Sequence, residues 1–501
     1  MRKLITAMMM SATLIGTASA QTHLRIGLAE DPDVLDPTMA RTFVGRIVFA
    51  SLCDKLFDIN EKLEVVPQLA TGYKTSDDGK TVTITLRPGV LFHDGEKLDA
   101  EAAKFTFERN LTMQGSFRRS EISVIQSVEV VDPLTIKLNL SAPFAPLIAQ
   151  LTDRAGMMIS PAAAKAAGAN FGLKPVCAGP FKFVERVAQD RIVVERFADY
   201  WDKSRIFLDK VTYLPIPDST VRLANLQAGS LDLLERLVPT DLDAVKKNNR
   251  LKLTSVAELG YLGVTFNLDN GEKSNTPLGK DARVRQAFGL AIDREALNQV
   301  VFSGEYVPGN QWVTPTSPYY QKSLPIPTRD VNKAKALLKE AGVTTPLTVS
   351  LMVANNPEQR QVGEVIQAMV KEAGFDVRLQ ATEFAASLNL AQKGDFQAYL
   401  IGWSGRTDPD GNFYSFLSCK GAQNDSKYCD PAVDALMDQS RTTTDLTQRN
   451  KLFGEIAAKV IPQSPILYLY HRKWLNVHSV KLTGLRGVPD GIIRLQDVKL
   501  N

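Results

Sequence analysis

The stretch Leu347-Thr348-Val349-Ser350-Leu351-Met352-Val353, the run Val362, Val365, Ile366, Met369, Val370 and Ala373, and then Gly374-Phe375-Asp376-Val377-Arg378-Leu379 together decide the fold. Leu347, Val349, Leu351 and Val353 alternate with their neighbours, as a strand requires. The six apolar residues that follow fall at helical spacing, Gly374 ends the helix, and Phe375, Val377 and Leu379 resume alternation. Strand, helix, strand is the unit that builds parallel sheets with helices on their faces, so this half of the chain reads as α/β. A second helix is expected over Phe384 to Gln392, with Gly394 breaking it, and a further strand over residues 396 to 402.

Upstream the texture changes. His23-Leu24-Arg25-Ile26-Gly27-Leu28 alternates up to the Asp31-Pro32 turn, and Val82, Ile84 and Leu86 share one face after Asp78-Gly79. Alternation recurs over residues 125 to 131 and 134 to 140, joined by Asp132-Pro133, which predicts hairpins and antiparallel sheet. Asp99 is placed to cap a helix through Ala103, Phe105 and Phe107, Asp281 opens another through Val284 and Phe288, and Asp293 caps a third. The change of texture lies near residues 261 to 270, and the chain returns through residues 466 to 470. Two lobes joined by more than one crossing are therefore expected.

The chain has 501 residues, more than one hydrophobic core usually serves. It opens Met1-Arg2-Lys3, runs apolar over residues 4 to 15, and reads Thr17-Ala18-Ser19-Ala20 before Gln21. That pattern predicts a signal peptide cut after Ala20, because the apolar run falls short of the roughly 20 residues of a spanning helix. Without it the formal net charge of +4 drops to +2, too balanced to point to nucleic acid. Four cysteines in an exported chain predict two disulfides. Cys419 and Cys429 flank a polar stretch suited to a local loop, which leaves Cys53 for Cys177. The histidines His23, His93, His471 and His478 show no zinc-ligand spacing, so neither metal nor cofactor is expected.

Several strings carry a resemblance. They are Leu86-Arg87-Pro88-Gly89-Val90 with Phe92-His93-Asp94-Gly95, then Asp99-Ala100-Glu101, Ala178-Gly179-Pro180-Phe181-Lys182-Phe183, Arg283-Val284-Arg285-Gln286-Ala287 and Ala291-Ile292-Asp293-Arg294. In this order they make the mature chain resemble the family 5 extracellular solute-binding proteins of ABC importers, whose best-known members bind dipeptides and oligopeptides. The resemblance implies an α/β, two-lobed type II periplasmic-binding-protein fold with an extra β-rich subdomain in lobe I. By this likeness residues 21–266 form lobe I, with the insertion at about 45–175, residues 267–469 form lobe II, and residues 470–501 return to lobe I. It also implies a periplasmic monomer that captures a peptide-like molecule and hands it to a membrane permease.

The strand over residues 396 to 402 runs into Trp403-Ser404-Gly405-Arg406-Thr407-Asp408-Pro409-Asp410, and the ends of such strands are where open α/β sheets bind ligands. Trp403 offers a flat wall. Asp408 and Asp410 are candidate acceptors for a ligand ammonium, each bond contributing roughly 1.5–3 kcal/mol. The same letters also spell an Asx-type turn. Tyr261 resembles the family's cleft-facing aromatic, with core packing as the alternative, and Arg41 is a candidate for an anionic group. Two departures from the peptide-binding pattern, Arg406 where an Asp is usual and no Arg before Asn356-Pro357, leave glutathione-like peptides, opines, metal chelates and haem open beside simple dipeptides. A hydrolase is the rival class, but Gly402-Trp403-Ser404-Gly405 lacks the glycine of a nucleophile elbow at Arg406, and no His-Glu-x-x-His occurs.

Overall fold

Alternation on His23–Leu28 places Leu24, Ile26 and Leu28 in a core where each is fully buried. The computed structural model describes residues 21–501, so the expected signal peptide lies outside the described residues. His23–Leu28 sits in a seven-stranded sheet, parallel to both Lys210–Pro215 and Leu233–Leu234. The same sheet ends on Lys473–Ser479 and Leu251–Ala257, an antiparallel pair. This is the first lobe.

The decisive stretch behaves as its periodicity demands. Leu347–Ala354 and Phe375–Thr382 are parallel neighbours joined by the helix Pro357–Lys371, whose Val362, Ile366 and Val370 are fully buried. Asn356 caps that helix by accepting from Gln359 N–H, and Pro357 fills its first turn without wasting a donor. These strands belong to a six-stranded sheet with Ala398–Trp403, Tyr261–Phe266, Ile466–His471 and Val307–Pro308. It forms the second lobe. Asp99, Asp281 and Asp293 all cap the helices expected of them.

Two boundaries differ from the sequence reading. Tyr261–Phe266, expected in lobe I, pairs with Ala398–Trp403 on one side and Ile466–His471 on the other, so it belongs to the second sheet. The first crossing between sheets is therefore at residues 258–260, and the return is at Arg472, between Ile466–His471 and Lys473–Ser479. The close approach is possible because Gly263 has no side chain; a Cβ there would sit 2.5 Å from the Leu467 carbonyl oxygen. The β-rich unit is the four-stranded antiparallel sheet Ala70–Thr75, Thr81–Leu86, Thr135–Leu140 and Ile125–Asp132, with its own core from Leu56 to Ala178. Residues 45–52, expected at the start of that unit, instead lie in the helix Phe43–Leu52, which buries Val44, Ile47, Val48 and Phe49 in the first lobe's core.

Both disulfides form as paired from the sequence, Cys53 with Cys177 and Cys419 with Cys429. Among the described residues no helix is long and apolar enough to cross a membrane, and no group of three or more His, Cys, Asp or Glu is arranged to hold a metal ion.

Candidate ligand-binding site

Parallel strands of both lobes aim their carboxyl ends at one cleft. From the first lobe, His23–Leu28 delivers Glu30, Lys210–Pro215 leads into the helix carrying Arg222, and Leu233–Leu234 delivers Arg236. From the second, Leu347–Ala354 leads to Glu358 in the first turn of its helix, and the parallel strand Ala398–Trp403 ends on Trp403 and Ser404. All of these line one cavity between the lobes, together with Phe43, Tyr261, Tyr399, Asp425 and Arg472.

The polar wall of the first lobe is organised around Arg236. Its Nε donates to Glu235 (2.8 Å) and its Nη1 to Glu30 (2.6 Å), while Glu235 also accepts from the Ala29 N–H (2.9 Å). Burial alone would lower the Arg236 pKa, but Glu235 and Glu30 raise it, so the cation is secure. Its backbone φ of 59° lies in the left-handed region, at a cost of about 1–3 kcal/mol that its ion pairs hold in place. Arg222 spends its terminal nitrogens on the carbonyls of Ile216, Pro217 and Arg236. Across the cavity the Glu358 carboxylate makes no hydrogen bond among the described residues; burial pushes its carboxyl above the ordinary range, with Arg472, Arg236 and Arg222 drawing it back.

Of the residues expected from sequence, Arg41, Tyr261, Trp403 and Ser404 line this cavity. Tyr261 and Trp403 are register partners on adjacent strands and form one aromatic wall. Arg41, expected to meet a ligand anion, instead crosses between lobes: its Nη2 donates to Asp425 (2.7 Å), its Nη1 to the Leu388 carbonyl (3.3 Å), and its guanidinium stacks on Phe117.

Arg406, Asp408 and Asp410 stand behind the cavity and do not line it. Asp408 takes a two-pronged ion pair from Arg449 (2.6 and 2.8 Å) and accepts from the Asp410 N–H (2.9 Å), which is the Asx-type turn its letters also spell. Asp410 is fully buried against Arg441 (2.7 and 3.0 Å) and accepts from Gln150 of the first lobe (3.2 Å). Arg406 lies over the Trp403 ring and beside Asp153 (3.4 Å). Burial pushes Arg406 down to about 10, aided by Arg46 and opposed by Asp153. Burial would raise Asp153, yet Arg406, Arg46 and Arg154 hold it well below the usual carboxylate range. Arg46 also donates to Ser404 (3.0 Å), so these groups form a charged seam between the lobes.

The sequence reading did not find Glu30, Arg222, Arg236, Glu358, Asp425 or Arg472. Glu30 and Arg236 carried a usable signal, since each closely follows a strand that ends at the cleft.

The family model described as bacterial extracellular solute-binding proteins, family 5 Middle, matches residues 64–424. The chain belongs to this family. As a family 5 solute-binding protein it is the substrate-binding component of an ABC importer and not an enzyme. Similar proteins include the glutathione-binding protein GsiB of Pectobacterium atrosepticum, 30% identical over 480 residues covering 93% of this chain and 92% of the relative. Among solved structures, the binding protein AgaA of A. tumefaciens in complex with agropinic acid superposes with a TM-score of 0.87 at 27% identity, covering 96% and 99% of the two chains. A dipeptide-binding protein from a Pseudoalteromonas species in complex with Met-Leu gives 0.89 at 25% identity, covering 96% and 100%.

In this family 5 protein the Arg41–Asp425 pair joins the two lobes across the cavity. Both side chains are nearly buried, at 8% and 12% exposure, and such a charge-assisted bond contributes roughly 1.5–3 kcal/mol. Arg41→Ala is expected to weaken ligand binding roughly tenfold or more, measured by calorimetry. Asp425→Ala should match it, and the double variant should lose no more than either alone; additive losses would show that the two residues act separately.

Proposed function

We propose that the protein is exported with cleavage after Ala20 and works in the periplasm as a monomer. It captures a peptide-like small molecule that carries both an amino group and a carboxylate, and presents it to the membrane permease of an ABC importer. The observation that carries this reading is the composition of the cavity wall: cations and carboxylates from both lobes around an aromatic face of Tyr261, Tyr399 and Trp403. A ligand touching both lobes favours closure, whereas one touching a single lobe would leave the equilibrium unmoved. Glu358 and Glu30 supply acceptors for an ammonium group, in place of Asp408 and Asp410. The similar proteins support the class, since one is a glutathione-binding protein, one is in complex with agropinic acid and one is a dipeptide-binding protein in complex with Met-Leu.

Native mass spectrometry of the protein purified without unfolding tests this reading. The expected result is a bound mass that is released intact on denaturation and belongs to a peptide or amino-acid conjugate. A sugar, a lipid or a metal complex in its place would overturn the ligand class.

A further inference from the structure

Four arginines surround the cavity, and their hydrogen bonds divide them. Arg41 gives its terminal nitrogens to Leu388 and Asp425, and Arg222 gives both of its own to backbone carbonyls. Arg236 is held by Glu235 and Glu30 through Nε and Nη1. Arg472 alone keeps both Nη groups without a partner among the described residues, and neither is among the enclosed unpartnered atoms. Arg472 lines the cavity, and a Cβ on its fellow lining residue Gly402 would lie 3.6 Å from the Arg472 Nη2.

The rest of Arg472 is fixed at the hinge. It is the return crossing itself, and its backbone N–H (2.5 Å) and Nε (3.3 Å) donate to Glu258 while its carbonyl accepts from the Glu258 N–H (3.0 Å). Glu258 belongs to the other crossing, between Leu251–Ala257 and Tyr261–Phe266. The guanidinium lies over Trp474, which stacks at 4.2 Å on the cavity residue Phe43. A planar fork held from behind and open in front is the geometry that takes a carboxylate through two parallel hydrogen bonds.

We propose that Arg472 is the specificity-determining residue that reads a free carboxylate of the ligand, and that it places this recognition directly on the hinge. The inference rests on the peptide-like reading above and deepens it. Lysine at this position would keep the charge but lose the fork, and glutamine would lose both.

The test is a thermal-shift and calorimetry panel of glutathione, Met-Leu and defined di- and tripeptides, each paired with its carboxyl-amidated form. For the wild type, at least one free acid should bind and its amide should bind at least tenfold more weakly. Arg472→Gln should bind acid and amide alike, Arg472→Lys should retain part of the preference, and the unliganded melts report whether each variant folds. Equal binding of acid and amide by the wild type overturns the inference even if a variant fails to fold, as does an undiminished preference in Arg472→Gln. Absence of any binding in the whole panel would instead overturn the peptide-like reading on which it rests.

Discussion

Asp410→Ala is expected to cost about 3–5 kcal/mol of folding stability while leaving the ligand affinity of the folded protein within a few-fold of the wild type. The carboxylate is fully buried, and both its oxygens are taken by Arg441 of the same lobe. Removing it strands a buried cation, which also stacks on Tyr414 and Phe144 and donates to the Ser120 carbonyl (3.1 Å). Burial works against the Arg441 cation and Asp410 favours it, so deletion of the partner leaves a buried charge uncompensated. Urea unfolding and calorimetric titration on the same preparation separate the outcomes. If affinity collapses while stability holds, Asp410 is a ligand residue, as the letters around it alone suggest.

The second large effect is expected at the disulfide that closes the inserted unit. Cys53 lies at the end of the helix Phe43–Leu52 and Cys177 shortly before the strand Phe181–Val187, so the bond ties the chain where the insertion leaves the first lobe to where it comes back. Backbone contacts reinforce the stem: Gly179 N–H donates to Leu52 (2.9 Å), and a Cβ on Gly179 would meet that same carbonyl oxygen at 2.5 Å. In the chain-entropy account a bridge across 124 residues stabilises by about 5 kcal/mol and one across 10 by about 3 kcal/mol. Replacing Cys53 and Cys177 by Ala should therefore lower the unfolding free energy more than replacing Cys419 and Cys429. Equal losses, or the reverse order, would show that local geometry outweighs loop length here.

These two predictions also mark where sequence reasoning reached and where it stopped. Elements with strong periodicity and an explicit cap were legible: the helix from Pro357 has its apolar stripe, its Asn356 cap and its Gly374 stop all within one local window. The disulfides were legible from spacing and elimination. Sheet membership was not, because Tyr261–Phe266 is almost wholly buried and its pattern does not say which sheet buries it; only its pairing with strands more than a hundred residues away decides that. The same limit explains the acidic pair near Trp403. Asp408 and Asp410 look available in their own neighbourhood, but the arginines that occupy them lie 41 and 31 residues further on. Arg472 carried no local signal at all, since its importance comes from standing at a crossing.

Trp403 is the one among four tryptophans that lines the cavity, and its indole N–H is already anchored on the Gly411 carbonyl (2.9 Å). Occupation of the pocket thus changes the surroundings of Trp403 directly, while Trp201 and Trp312 stay outside the lining and Trp474 is reached only through Arg472 and Phe43, which gives the molecule a built-in optical gauge. Its ultraviolet emission can follow uptake and release in real time without any attached dye.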